Sequence, residues 1–238
     1  MAEEMMPSIS GWLSCGWDAY KRHLVALMGG AAVLAIFGLM LTFMEQSGMG
    51  LALYYILFLF VYPVIWVGWY YICLRAVRGE KTSVGDLMVP LSRYGPVWVS
   101  YILFILALMA GILLLVIPGI ILYLKYGFFG FAVMDKKCGG MEALKYSGKI
   151  TKGHKGKLLI FVLLVILFGL CGAPFIFGII LENTFLVMIG ILPYALSVLV
   201  ISPWMQAGLA AAYESLRINY EKKMAELDTT KIISSKIA

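Results

Sequence analysis

Long apolar runs separated by short polar stretches organise this chain. A helix needs about 20 apolar residues to cross a hydrocarbon layer of ~30 Å. Runs of that kind cover about 24–44, 51–74, 97–117, 119–134, 158–181 and 185–212. The block Pro96–Met134 is too long for one helix and holds no polar loop, so it reads as two spans joined by a tight turn at Pro118-Gly119. A re-entrant Gly119–Met134 is the alternative there. The runs are continuously apolar, whereas a membrane barrel alternates polar and apolar positions. The expected fold is all-α, a polytopic membrane helical bundle of about six transmembrane helices. Residues 1–23 form an N-terminal interfacial segment, 24–213 the transmembrane domain, and 214–238 a C-terminal helix and tail.

Composition agrees with the pattern. The 238 residues are 62% hydrophobic and 13% charged, with a mean hydropathy of +0.93. A soluble domain carries roughly 45–50% apolar and about 25% charged residues, so a soluble enzyme, a disordered chain and a free nucleic-acid-binding domain are excluded. Charge adds an orientation. Eighteen of the nineteen Lys and Arg residues fall before span one, between spans two and three, between spans four and five, or after span six. The other connections offer Glu45, in the break Glu45-Gln46-Ser47-Gly48, and Glu182. Basic connections stay cytoplasmic, which predicts an even number of spans and both termini inside. The net charge of +6 is a consequence of this topology, so nucleic acid is not an expected partner and anionic lipid is. The start of the chain, with Glu3 and Glu4, does not read as a cleaved signal peptide.

Three short amphipathic segments lie on the basic side. In the first, Ile9, Trp12, Leu13, Gly16 and Tyr20 share a helical face, which predicts a helix in the interface with Trp12 and Trp17 at headgroup level. The second, Thr82–Tyr94, groups Leu87, Leu91 and Tyr94, with Pro90 limiting its regularity. The third, about Gly140–Lys152, sets Glu142, Lys145, Lys149 and Lys152 on one face and Ala143, Ser147 and Thr151 on the other. Small residues at that spacing permit close helix packing. The third segment thus reads either as a lipid-facing basic surface docked through its small face, or as a solvated loop helix. Each segment precedes a pair of spans, which raises the idea of three tandem units.

Candidate chemistry is sparse. Lys125, in Tyr123-Leu124-Lys125-Tyr126, is the one basic residue outside the sorted set. Ionisable groups within a span often mark a pathway, a headgroup contact or a buried pair, with Glu45 and Glu182 as partners; a snorkelling side chain is the plainer alternative. Pro63, Pro118, Gly119, Pro174 and Pro203 are candidate helix breaks, read chiefly as kinks. His23 and His154 stand apart from any nucleophile or carboxylate cluster, and the four cysteines show no metal or redox spacing. No catalytic, cofactor or metal site is expected, and the chain reads as non-enzymatic.

The stretch Ile117–Leu159 resembles a group of uncharacterised prokaryotic membrane proteins, the YciC-type proteins and the membrane domain fused to some glycerophosphoryl diester phosphodiesterases. The residues that carry the resemblance are Ile117-Pro118-Gly119, Lys125, Tyr126, Phe128, Asp135, Glu142-Ala143-Leu144, Ser147 and Thr151-Lys152-Gly153, with Gly68, Arg75, Gly79 and Asp86-Leu87 upstream. Gly148 departs from it, standing where a Trp often follows the matching Ser, and so does Lys136, where an acidic residue is frequent. The resemblance implies a six-span membrane domain and supplies no activity, and the expected location is a prokaryotic inner membrane. The expected role is a lipid-contacting or partner-scaffolding membrane module, with a second copy or another membrane protein as further partner. Small-residue pairs (Ala31/Ala35, Ala107/Gly111, Gly208/Ala212) would serve such packing. Candidate contact residues are Lys125, Tyr126, Asp135, Glu142, Lys145, Ser147, Lys149, Thr151 and Lys152. The competing reading is a small-molecule or ion transporter or channel that uses the kinked helices and Lys125.

Overall fold

In the computed structural model the described residues are 7–46 and 51–237, and among them every regular element is a helix. Six stretches are long and apolar enough to cross a membrane: Leu24–Met44, Ala52–Val77, Val84–Leu114, Ile117–Asp135, Lys155–Ile180 and Thr184–Thr230. In helix terms, α1 (Ile9–Arg22) precedes span one, α2 (Leu24–Gln46). Span two is α3 (Leu51–Ile56), a π-helical turn at Leu57–Val61, and α4 (Tyr62–Val77). A 3-10 helix, Val84–Arg93, leads into span three, α5 (Tyr94–Leu114), and span four is α6 (Val116–Tyr126) with α7 (Phe129–Asp135). Then come α8 (Gly140–Ile150), span five as α9 (Lys155–Gly169) and α10 (Ala173–Ile180), and span six as α11 (Thr184–Leu196) and α12 (Ser202–Ile237). The break after Glu45 falls largely outside the described residues, as does the Glu45 side chain.

The prolines sit where local geometry tolerates them. Pro63 and Pro203 each follow a π-helical turn, at Leu57–Val61 and Ser197–Ile201, and Pro174 follows a 3-10 turn at Leu170–Gly172. Proline removes an N–H and crowds the carbonyl four residues back; an altered turn just before it relieves both demands. These positions are irregularities within continuing spans. Pro118 and Gly119 make no turn. The chain reverses at Leu115, whose extended backbone (φ −176°, ψ 153°) ends α5 and begins α6. Pro118 lies in the first turn of α6, where backbone N–H groups have no helical partner. Gly111 and Gly119 let the two helices close on each other, since a Cβ on Gly111 would stand 2.8 Å from the Gly119 Cα.

Two amphipathic segments turn their apolar sides to protein. Trp12 is fully buried against protein, and its Nε1 donates to Ser215 Oγ at 2.8 Å. α1 lies against α12, where a Cβ on Gly16 would meet the Gly208 backbone nitrogen at 2.5 Å, and Trp204 Nε1 donates to the Leu13 carbonyl at 2.9 Å. Amphipathic periodicity marks an apolar face without saying whether lipid or protein covers it. The segment Val84–Arg93 has a period of three, so Leu87 and Pro90 face α4 together while Leu91 is 54% exposed. The grouping of Leu87 with Leu91 belongs to an α-helix and does not hold. The glycines of the small-residue pairs are used inside the chain, Gly111 by Gly119 and Gly208 by Gly16.

The even-numbered spans form the centre. α4 packs on both α7 and α12, and these three supply the densest runs of buried side chains. Their ends on the basic side meet in a network of charges. The Arg78 guanidinium donates to Asp135 Oδ1 at 2.6 Å and to Glu214 Oε2 at 2.8 Å, so one side chain joins spans two, four and six. Arg217 Nη2 donates to Glu214 at 2.5 Å and Nη1 to Glu221 at 3.1 Å, and the Tyr213 hydroxyl donates to Asp135 at 2.8 Å. Lys136 and the Tyr146 hydroxyl both reach Glu221, which ties α8 to the same cluster. Burial works against the charge on Arg78, but Glu214 and Asp135 outweigh it and hold the guanidinium above its ordinary value. The Tyr146 phenol is pushed up by burial and further by Glu221, so it remains a donor.

Candidate functional site

Helix α8 builds the site. Glu142 accepts the Gly139 backbone N–H at 3.1 Å, closing the first turn. Gly140 brings the helix start onto α5, since a Cβ there would stand 2.7 Å from the Ser100 nitrogen. Ala143, Ser147 and Thr151 are buried on the packed face as their spacing predicts, and Glu142, Lys145, Lys149 and Lys152 are exposed.

The hydroxyls on that face do more than allow approach. Span four is interrupted between α6 and α7, leaving backbone groups there without helical partners. Ser147 Oγ donates to the Lys125 carbonyl at 2.8 Å and accepts from the Phe128 N–H at 3.3 Å. Thr151 Oγ1 donates to the Ser147 carbonyl at 3.0 Å, within its own helix, and lies 3.5 Å from the Lys125 carbonyl. Ser147 therefore splints the break. Replacing it with Ala strands a buried donor and acceptor, and should lower stability by about 1–3 kcal/mol, read as a reduced thermal-unfolding midpoint in detergent; Ser147→Thr should retain part of it.

With α8 in place, Lys125 is no outlier. It lies about ten residues, or roughly 15 Å of helix, beyond the Leu115 reversal, and α8 comes up to meet it. Its ammonium sits 4.7 Å from the Tyr126 ring centroid, a cation–π contact. A Cβ on Gly148 would lie 3.2 Å from Lys125 Cε. Lys125, Tyr126, Lys145, Gly148 and Lys149 line an open groove of about 520 Å³, walled on its apolar side by Leu103, Ala107, Met141 and Leu144. Among the described residues no carboxylate pairs with Lys125, Lys145 or Lys149. Glu182, offered as a partner of Lys125, lies in the turn between α10 and α11 at the far end of span five.

The other sequence candidates separate from the groove. Asp135 belongs to the charge network, Ser147 and Thr151 support α6 and α7 from behind, and Lys152 stands beyond the end of α8. Glu142 sits at the rim, in a shallower depression that it shares with Lys136, Lys145 and Lys149. Missing from the sequence reading as partners were Arg78, Glu214, Arg217 and Glu221. A signal for them exists: Arg78 and Asp135 end spans two and four, and Glu214 and Arg217 stand where the apolar part of span six gives way to charge. Among the described residues no group of three or more His, Cys, Asp or Glu could hold a metal ion, and the cysteines are free thiols. No family model, curated protein or solved structure matches the chain.

Proposed function

We propose that this chain is a non-enzymatic, multi-pass membrane module that seats an anionic phospholipid headgroup in the groove between α5, α6 and α8. The supporting observation is the groove itself: three ammonium groups with no carboxylate partner among the described residues, set against an apolar wall that continues into the exposed apolar surface of α5. A lipid offers both complements at once, a phosphate for Lys125, Lys145 and Lys149 and an acyl chain for Leu103 and Ala107. Gly148 keeps the groove open. In this reading the basic face is cytoplasmic, both termini lie on that side, and the membrane is a prokaryotic inner membrane, in keeping with the sorting of basic residues and with the resemblance of Ile117–Leu159 to the YciC-type group.

The test is retention of phosphatidylglycerol over phosphatidylcholine by purified protein, followed by native mass spectrometry. A basic residue near an anionic surface contributes about 1 kcal/mol, so changing Lys125, Lys145 and Lys149 together to Gln should cut the preference by about two orders of magnitude. Gly148→Trp should remove it while leaving all three charges. Equal retention of the two lipids by the wild type would defeat the proposal. Ion or solute flux in liposomes that depends on Lys125 would favour the transport reading instead.

A further inference from the structure

A second cavity, also about 520 Å³, lies on the other side of α6 from the groove. It sits between α4, α5, α6, α9 and α12, and its size is that of a small-ligand pocket. Ile112, Ile120, Leu163 and Ile166 on its lining are 42–55% exposed on the outer faces of apolar spans, so the opening is sideways, toward where a bilayer would lie. Its polar-tipped lining residues are Trp66, Tyr70, Tyr123 and Gln206. Among the described residues no charged one lines it.

Gln206 is the anomaly. Its Nε2 is buried and turned toward the Tyr70 phenol without a well-formed hydrogen bond. The residue stands eight positions before Glu214, about 12 Å below the charge network, within the apolar span Thr184–Thr230. A poorly satisfied donor there is costly. A half-turn of the amide about its last bond would set Oε1 against the Tyr70 hydroxyl, which can donate to it, and free the N–H₂ for a ligand oxygen. An ionised headgroup would meet no counter-charge among these residues, so the acceptor has to be neutral.

We infer that this cavity is a binding site for a neutral lipophile carrying a carbonyl oxygen, which enters from the bilayer and accepts a hydrogen bond from Gln206. Two membrane-soluble sources share that chemistry, a quinone ring and the ester of an uncharged glycerolipid. The inference does not rest on the groove. Protein in nanodiscs is offered decyl-benzoquinone, dioctanoylglycerol or decylbenzene at equal mole fraction, and retained copies are counted by native mass spectrometry. One copy of a carbonyl probe should be retained, and decylbenzene should not. Retention of the quinone alone identifies a ring site, of dioctanoylglycerol alone a glycerolipid site, and of both a site that reads the carbonyl. Gln206→Leu should weaken retention about five-fold, the worth of one hydrogen bond of ~1 kcal/mol, and Val162→Trp, which fills the cavity, should abolish it. If either variant fails to fold, the contrast between carbonyl probes and decylbenzene in the wild type decides. Equal retention of decylbenzene, retention of no probe, or full retention by a folded Gln206→Leu protein would overturn the inference.

Discussion

Replacing Arg78 with Met should destabilise the protein more than any other single charge removal, by about 3–5 kcal/mol. Among the described residues Arg78 is the one side chain that hydrogen-bonds both Asp135 and Glu214, and both carboxylates are nearly inaccessible, at 9% and 6% side-chain exposure. Arg217 would still reach Glu214 at 2.5 Å, but it stands 3.8 Å from Asp135. Asp135 would keep the Tyr213 hydroxyl and lose its close cation. A Lys at position 78 has a single ammonium in place of a planar fork and should recover only part of the loss. The sharper check is a double-mutant cycle. Arg78→Met with Asp135→Asn removes both charges, so the pair should be less damaging than the sum of the single changes. Unfolding midpoints in detergent measure it; an Arg78→Met protein as stable as the wild type would show the network to be idle.

Gly68→Ala should be the next most harmful change, although it adds one methyl group. The new Cβ would stand 2.1 Å from the Leu87 carbonyl oxygen and 2.7 Å from the Leu87 carbonyl carbon and Cα. Those are backbone atoms, so no rotamer change can make room, and the 3-10 helix Val84–Arg93 has to lift from α4. With it would go Leu87 from the core, the Arg75–Asp86 pair at 3.2 Å and the Arg93 bond to the Lys137 carbonyl at 2.6 Å. Overpacking usually costs 1–3 kcal/mol, and a backbone clash belongs at about the upper end of that range. Gly38→Ala is the control, because nothing lies within 4 Å of a Cβ there. Gly38→Ala should unfold no earlier than the wild type, and Gly68→Ala should also open the Val84–Arg93 segment to proteolysis. Equal behaviour of the two would contradict the packing described.

Why some of this was readable from sequence and some not follows from the range of each signal. Spans are set by runs of about 20 apolar residues, and that signal is local, so all six appear. Leu115 was missed as the turn because Pro118-Gly119 looks like a break, while a proline is at home in a first helical turn. That protein covers Trp12 was not readable, because a helical face carries no label for what packs on it. Leu91 was misplaced by assuming 3.6 residues per turn where the backbone has three. The charge network depends on which span ends converge, a long-range fact that no window of sequence contains. The basic and small faces of α8 were both legible, yet that Ser147 holds the Lys125 carbonyl, and so brings Lys125 to Lys145 and Lys149, needed the fold. Gly148 stood out in the sequence as a departure; in the structure it is the space the groove occupies.

The claim that the groove holds a lipid phosphate is tested most directly by locating one. In a structure of the protein in phosphatidylglycerol nanodiscs, a phosphate should lie within about 4 Å of the ammonium groups of Lys125, Lys145 or Lys149, the distance of an ion pair, with an acyl chain along Leu103 and Ala107. A groove holding only solvent, with ordered phosphates elsewhere on the basic face, would contradict the account.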